Sequence, residues 1–137
     1  GLDDAGCIAA FKTLGNRHCH PVLRGGSAPN YDEESIGKVR DAMMDAGLRP
    51  GIMVDCSHGN SGKAADRQSG VFKDVIRQIA GGNREIIGLM LESNLESGRQ
   101  DITGNVAELR HGVSVTDECL GWAETERLVL DAYGKLG

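Results

Sequence analysis

Aromatic residues are scarce in this 137-residue chain, at 4%, whereas glycines number 20. That balance fits a fold with many tight strand-to-helix turns better than a β-sandwich or a disordered segment. An excess of basic charge is also lacking. The net charge is -5 and the pI near 5.3, which leaves no electrostatic footprint for nucleic acid or an anionic membrane. No apolar run approaches the roughly 20 residues of a membrane span. No basic-then-apolar leader opens the chain, and Cys7, Cys19, Cys56 and Cys119 form no Cys-x-x-Cys pair. A soluble protein of the reducing cytoplasm is therefore expected, with buried or idle thiols rather than disulfides. Walker loop, dinucleotide fingerprint and nucleophile elbow are all missing, which sets aside the common nucleotide and hydrolase readings.

The length suits one domain with one core, able to bury roughly two-thirds of the surface its unfolded chain exposes. Repeats and low-complexity tracts are absent. The opening Gly1-Leu-Asp-Asp-Ala-Gly-Cys7 reads as a turn inside a domain, so the chain is expected to be a piece of something longer.

Periodicity then orders the elements. The β-prone run from Cys7 to Thr13 follows a turn and predicts one arm of a hairpin. His20-Pro-Val-Leu-Arg24 predicts a strand ending in an arginine and two glycines, with Pro21 at its start because it cannot donate to a ladder. A helix is expected over Asp32 to Ala46, where Ile36, Val39, Met43 and Ala46 recur at helical spacing and Gly47 stands at the stop. A second strand, Gly51 to Ser57, leads into a Gly/Asn/Ser loop and a helix from about Lys63 to Ala80. The third strand, Ile86 to Glu92, is apolar enough to be buried on both faces, and alternation groups Ile87, Leu89 and Leu91 against Gly88, Met90 and Glu92. A polar loop, Leu95 to Thr116, precedes a last helix from about Glu118 to Leu136, with Trp122, Leu128, Leu130 and Tyr133 as packing candidates. The order β-α-β-α-β-loop-α implies an α/β fold of parallel strands with right-handed crossovers, either a small open sheet or part of a barrel.

The chemistry-bearing residues sit at the ends of those strands. His58 closes the second strand, Glu92 the third, and Asp117 lies just before the last helix; one imidazole and two carboxylates make a divalent-metal donor set. Arg24-Gly25-Gly26 suits a bidentate grip on phosphate or carboxylate, with the glycines letting backbone N–H groups approach the anion. Each residue also has a plain alternative. Arg24 can be a surface arginine before a turn, His58 a satisfied structural histidine, Glu92 an exposed strand end, and Asp117 a helix N-cap. A thiol site built on Cys56, His58 and Cys119 is a rival, although such sites usually carry Cys-x-x-Cys pairs.

Four segments in order are more specific. His20-Pro-Val-Leu-Arg-Gly-Gly26 with Pro29-Asn-Tyr31, Val54-Asp-Cys-Ser-His-Gly-Asn-Ser-Gly-Lys63, Gly88-Leu-Met-Leu-Glu-Ser-Asn-Leu-Glu-Ser-Gly-Arg-Gln100 and Gly112-Val-Ser-Val-Thr-Asp-Glu-Cys-Leu-Gly-Trp122 closely resemble the carboxyl-terminal part of class I 3-deoxy-D-arabino-heptulosonate 7-phosphate (DAHP) synthases. The resemblance implies a partial (β/α)8, or TIM, barrel over residues 1–137. Residues 1–15 would be the remnant of a hairpin inserted before strand six, which in regulated members contributes to an aromatic-amino-acid effector site. Residues 16–137 would be the last three β/α units.

The family condenses phosphoenolpyruvate with erythrose 4-phosphate in the first step of the shikimate pathway to aromatic amino acids. Carried over, His58, Glu92 and Asp117 match ligands of a divalent ion, with manganese, iron or cobalt expected. Arg24 matches an arginine on the phosphate of phosphoenolpyruvate. Substrate contacts then fall to Arg24 and His58, and catalytic roles to His58 and Asp117, while Asn60 and Lys63 support the loop. The resemblance also implies a homo-oligomer for the full-length enzyme. Its fourth metal ligand, a cysteine, precedes this segment, and Cys7, Cys19, Cys56 and Cys119 do not occupy that motif. Ser27 stands where many members carry lysine, and Asn94 where some carry histidine. Alone, the chain is expected to be inactive and to associate with itself, aggregate or need a partner fragment.

Overall fold

A computed structural model of the chain describes residues 1–16 and 18–137. Its centre is a three-stranded parallel sheet in the order β1 (Val22–Leu23), β2 (Ile52–Asp55), β3 (Ile86–Met90). Helix α1 (Glu33–Asp45) connects β1 to β2, and α3 (Ala65–Ala80) connects β2 to β3 after a single turn, α2 (His58–Ser61). A second parallel pair, β4 (Ser93–Asn94) with β5 (Leu120–Gly121), leads into α4 (Trp122–Leu136).

The first helix follows its sequence signals closely. Asp32 caps it by accepting the Ser35 N–H at 2.9 Å, and Lys38 pairs with Glu34 one turn earlier at 2.6 Å. Ile36 is buried, with Val39 and Met43 packed against the core. Gly47, at φ 69°, lets Leu48 N–H reach back to Met43 O at 2.8 Å and close the end.

The core lies on one face of the sheet. Leu23, Ile52, Val54 and Cys56 join Val71, Phe72, Val75 and Ile76 of α3 in one buried cluster that also takes in Leu120, Leu128 and Ala132. Each fully buried aliphatic side chain there contributes about 1.5–3 kcal/mol of burial. The opposite face, with Val22, Met53 and Met90, is only partly covered.

The third strand departs from simple alternation. Ile52 pairs with Ile86 but Met53 pairs with Gly88, so Ile87 is an extra, bulged residue. Ile87 is 59% exposed, and Ile86 takes the core position in its place. Burial on both faces is therefore not found for this strand.

Three further expectations are corrected. The helix expected from Lys63 begins at Ala65, because Lys63 has φ 64°, outside the helical region. The last helix begins at Trp122 and not at Glu118, because Leu120–Gly121 is extended and paired with Ser93–Asn94. The Glu118 carboxylate instead accepts the Ala65 N–H at 2.9 Å, where an acidic group favours the α3 N-terminus. Within α4, Leu128 is fully buried as expected, with Thr125 and Ala132 on its stripe, whereas Trp122, Leu130 and Tyr133 are all more than half exposed. The stripe is set by the way β5 delivers the helix onto α3, and residue size does not decide it.

The amino-terminal hairpin is shorter than its β-prone run. Leu2 bridges Ile8, and the Asp3 side chain accepts the Ala5 and Cys7 N–H groups at 3.0 and 2.8 Å to make the turn. The final backbone bond of the pair joins Gly1 and Ala9. The loop from Leu95 is held together by Gln100, which donates to Arg110 O and Val113 O and accepts the Arg110 N–H. It contains a 3-10 turn, Val106–Glu108.

Candidate functional site

Parallel strands deliver their carboxyl ends to one side of a sheet, and the chain changes direction there in loops. β2 ends in Asp55, 2% exposed, and passes through buried Cys56 and Ser57 to His58. His58 takes φ 48°, a left-handed conformation that disfavours a residue with a Cβ. Glu92 lies two residues beyond β3, and Asp117 three residues before β5.

These ends converge. His58 Nε2 is 3.5 Å from Glu92 Oε1 and 3.8 Å from Asp117 Oδ2, and one donor atom from each residue lies within 4.8 Å of the others. Those spacings are long for hydrogen bonds. Ligands of one ion with bonds of roughly 2.0–2.2 Å lie about 3–4 Å apart, so the group fits a single divalent ion after a small inward movement. Asp117, the most exposed of the three, has the room for it.

Hydrogen bonds set how the donors point. His58 Nδ1 is 2.7 Å from Asp55 Oδ2, and Asp55 Oδ1 accepts the Ser57 N–H at 2.8 Å. Ser57 Oγ donates to Glu92 Oε2 at 2.6 Å, leaving Oε1 toward His58. Fully buried Gln68, on α3, accepts the Glu92 N–H at 2.8 Å and donates to its carbonyl at 3.3 Å.

Arg24 follows β1, with its side chain 59% exposed and Nε 4.0 Å from Asp55 Oδ2. It shares a cleft of about 710 Å³ with His58, Lys63 and Arg67. The adjoining glycines serve another purpose than expected. Gly25 N–H donates to Asn30 Oδ1 and Gly26 N–H to Ala28 O, so both are occupied within the loop. What they permit is contact between loops: a Cβ on Gly25, at φ 71°, would lie 2.5 Å from the Gly59 carbonyl carbon. Asn60 locks the same contact by donating to Leu23 O and Asp55 O and accepting the Asn30 N–H.

The rival arrangements do not assemble. Cys56 is buried within the core cluster, and burial, helped by the neighbouring Asp55 charge, pushes its thiol up to about 12. Among the described residues, the group spaced to hold an ion is His58, Glu92 and Asp117. Asp117 does not cap α4, whose N-cap position is Gly121.

Sequence reasoning missed Asp55, Ser57 and Gln68. Asp55 carried the signal that picked out Glu92, a carboxylate ending an apolar run. Gln68 carried another, since it falls on the Val71, Phe72 and Val75 stripe where an apolar residue belongs. Ser57, a small polar residue in a loop, carried none.

The sequence model of the DAHP synthetase I family matches residues 4–130. The phospho-2-dehydro-3-deoxyheptonate aldolase, Tyr-sensitive, of Enterobacter agglomerans is 47% identical over 136 residues, covering 99% of this chain and 64% of that protein. The Tyr-sensitive aldolase of Escherichia coli K12 is 46% identical, covering 99% of this chain and 38% of that one. The solved phospho-2-dehydro-3-deoxyheptonate aldolase of Francisella tularensis SCHU S4 superimposes with a TM-score of 0.87 at 37% identity, over 98% of this chain and 39% of its own. The chain thus spans a fraction of each relative, from 38% to 64% of the two curated ones.

Proposed function

The chain belongs to the DAHP synthetase I family, and from that membership we propose that it forms the metal-binding wall, and part of the phosphate-binding wall, of a phospho-2-dehydro-3-deoxyheptonate aldolase. Such an enzyme joins phosphoenolpyruvate to erythrose 4-phosphate and releases phosphate. In this reading β1, β2 and β3 are the last three strands of a (β/α)8 barrel, and the half-covered face bearing Val22, Met53 and Met90 is its interior.

The observation that carries the reading is the convergence of His58, Glu92 and Asp117 from separate strand ends to within 4.8 Å. One imidazole and two carboxylates suit manganese, iron or cobalt. When bound, the ion supplies Lewis acidity toward the aldehyde oxygen of the sugar phosphate. His58 and Asp117 hold their side of the reacting centre, and Glu92 fixes the third position. The Arg24 guanidinium, on the same cleft as His58, has the planar fork for a bidentate grip on the phosphate of phosphoenolpyruvate. Lys63 and Arg67 add positive charge to that cleft.

Manganese titration by calorimetry tests the centre: the full chain binds one ion, and His58→Ala, Glu92→Ala and Asp117→Ala each abolish or strongly weaken binding. Turnover is tested by phosphate release after co-refolding with the amino-terminal part of a related synthase. Failure of that pair favours a non-catalytic partial barrel. Turnover of sugar phosphates without phosphoenolpyruvate favours another metal-dependent aldolase.

A further inference from the structure

We infer that Asp55 is a positioning residue for this centre: its buried carboxylate fixes the imidazole of His58 in the tautomer that leaves Nε2 unprotonated and facing Glu92 and Asp117. The inference rests on the metal reading above, and it concerns a residue that would not itself touch the ion.

A carboxylate offers only acceptor oxygens. Asp55 Oδ1 takes the Ser57 N–H at 2.8 Å, and Oδ2 lies 2.7 Å from His58 Nδ1. The hydrogen between Asp55 and His58 therefore belongs to Nδ1, and a neutral imidazole with its proton there has its lone pair on Nε2. Nε2 is the nitrogen turned toward the Glu92 and Asp117 carboxylates. With the opposite tautomer, an N–H would point into the centre and no lone pair would be available to an ion.

Two other observations point the same way. His58 is held at φ 48°, where a residue with a Cβ stays only if its surroundings require it; the bond to Asp55 is such a requirement. Asp55 itself is 2% exposed and, among the described residues, the nearest cation, Arg24 Nε, is 4.0 Å away. A carboxylate this deeply buried is costly without hydrogen bonds, and it spends one oxygen on His58 and the other on Ser57. Ser57 in turn donates its hydroxyl to Glu92 Oε2. One short segment, Asp55 to His58, thereby orients two of the three donors.

The test exploits the near-identical shape of asparagine. In Asp55→Asn the single side-chain oxygen is claimed by the buried Ser57 N–H, so the amide NH2 faces Nδ1 and drives the imidazole proton to Nε2. Nitrogen-15 multiple-bond NMR of the metal-free full chain, at mildly alkaline pH, reads the tautomer directly. The chain has four histidines, and the His58 ring is assigned by its loss in His58→Gln. The expected result is an Nδ1–H tautomer in the wild type, an Nε2–H tautomer in Asp55→Asn, and manganese affinity about 10–100-fold weaker in that variant. A role in folding alone predicts the same tautomer in both proteins, and that outcome overturns the inference. If Asp55→Asn does not fold, the wild-type spectrum decides: an Nε2–H tautomer overturns the inference and an Nδ1–H tautomer supports it. A wild-type chain that shows the Nδ1–H tautomer but binds no manganese overturns the metal reading alone, so the two failures are distinct.

Discussion

Ser57 Oγ donates to Glu92 Oε2 at 2.6 Å, tying the loop after β2 to the end of β3 across 35 positions of sequence. The tether uses one carboxylate oxygen and leaves the other toward His58, so the orientation of Glu92 is settled without any ion.

Ser57→Ala releases that oxygen. A hydrogen bond to a charged group contributes roughly 1.5–3 kcal/mol, and the part of it that orients Glu92 is expected to appear as weaker manganese binding. Calorimetry on the full chain should show a loss of several-fold or more with unchanged far-ultraviolet circular dichroism. Equal affinity would mean that the Ser57 bond does not set how the Glu92 carboxylate points, since Gln68 holds only the Glu92 backbone.

Gly25→Ala places a methyl group 2.5 Å from the Gly59 backbone at φ 71°. Left-handed strain alone costs roughly 1–3 kcal/mol, and the backbone collision adds to it. Gly104→Ala, at φ 97° with nothing within 4 Å of its Cβ, isolates the strain. Urea denaturation should rank Gly25→Ala as clearly the more damaging.

Leu128→Ala empties a fully buried position on α4 and should cost about 2–5 kcal/mol. Leu130→Ala, on the exposed side of the same helix, should stay within about 0.5 kcal/mol. Midpoints of denaturant unfolding compare the two, and equal losses would mean that α4 is rotated from the orientation described.

Cys56, with its thiol raised to about 12, should resist alkylation at neutral pH in the folded chain, while exposed Cys7 and Cys19 react. Because the folded value is raised, the contribution of the neutral thiol is complete below the ordinary thiol value and is lost as pH climbs from there toward about 12. Cys56→Ala should remove that part of the alkaline slope, measured as denaturation midpoint against pH.

Legibility in the sequence followed the range of the interactions. The stripe of Ile36, Val39 and Met43 was readable because helical spacing is local, and so was the stop at Gly47. His58 and Glu92 were readable as candidates because polar groups after apolar runs need a reason, and Asp117 because it is a carboxylate placed just before the last helix. What could not be read was how elements meet. Trp122, Leu130 and Tyr133 are bulky enough for a core, but only the parallel pairing of Leu120–Gly121 with Ser93–Asn94 decides that Thr125, Leu128 and Ala132 face inward. The Gly25–Gly59 contact likewise joins residues far apart in sequence, and a lone glycine looks the same whether it serves a phosphate or another loop.

The extra residue in β3 bears on how this strand tolerates length changes. Ile86 and Gly88 occupy consecutive partners on β2, with Ile87 standing outside the count. Deleting Ile87 would leave every other residue of β3 opposite its present neighbour, so Glu92 would still emerge beside His58. Deleting Leu89 or Met90 would instead shift the residues that follow by one and turn the Glu92 side chain toward the helices. One residue of length variation is therefore absorbable near the start of this strand and not near its end.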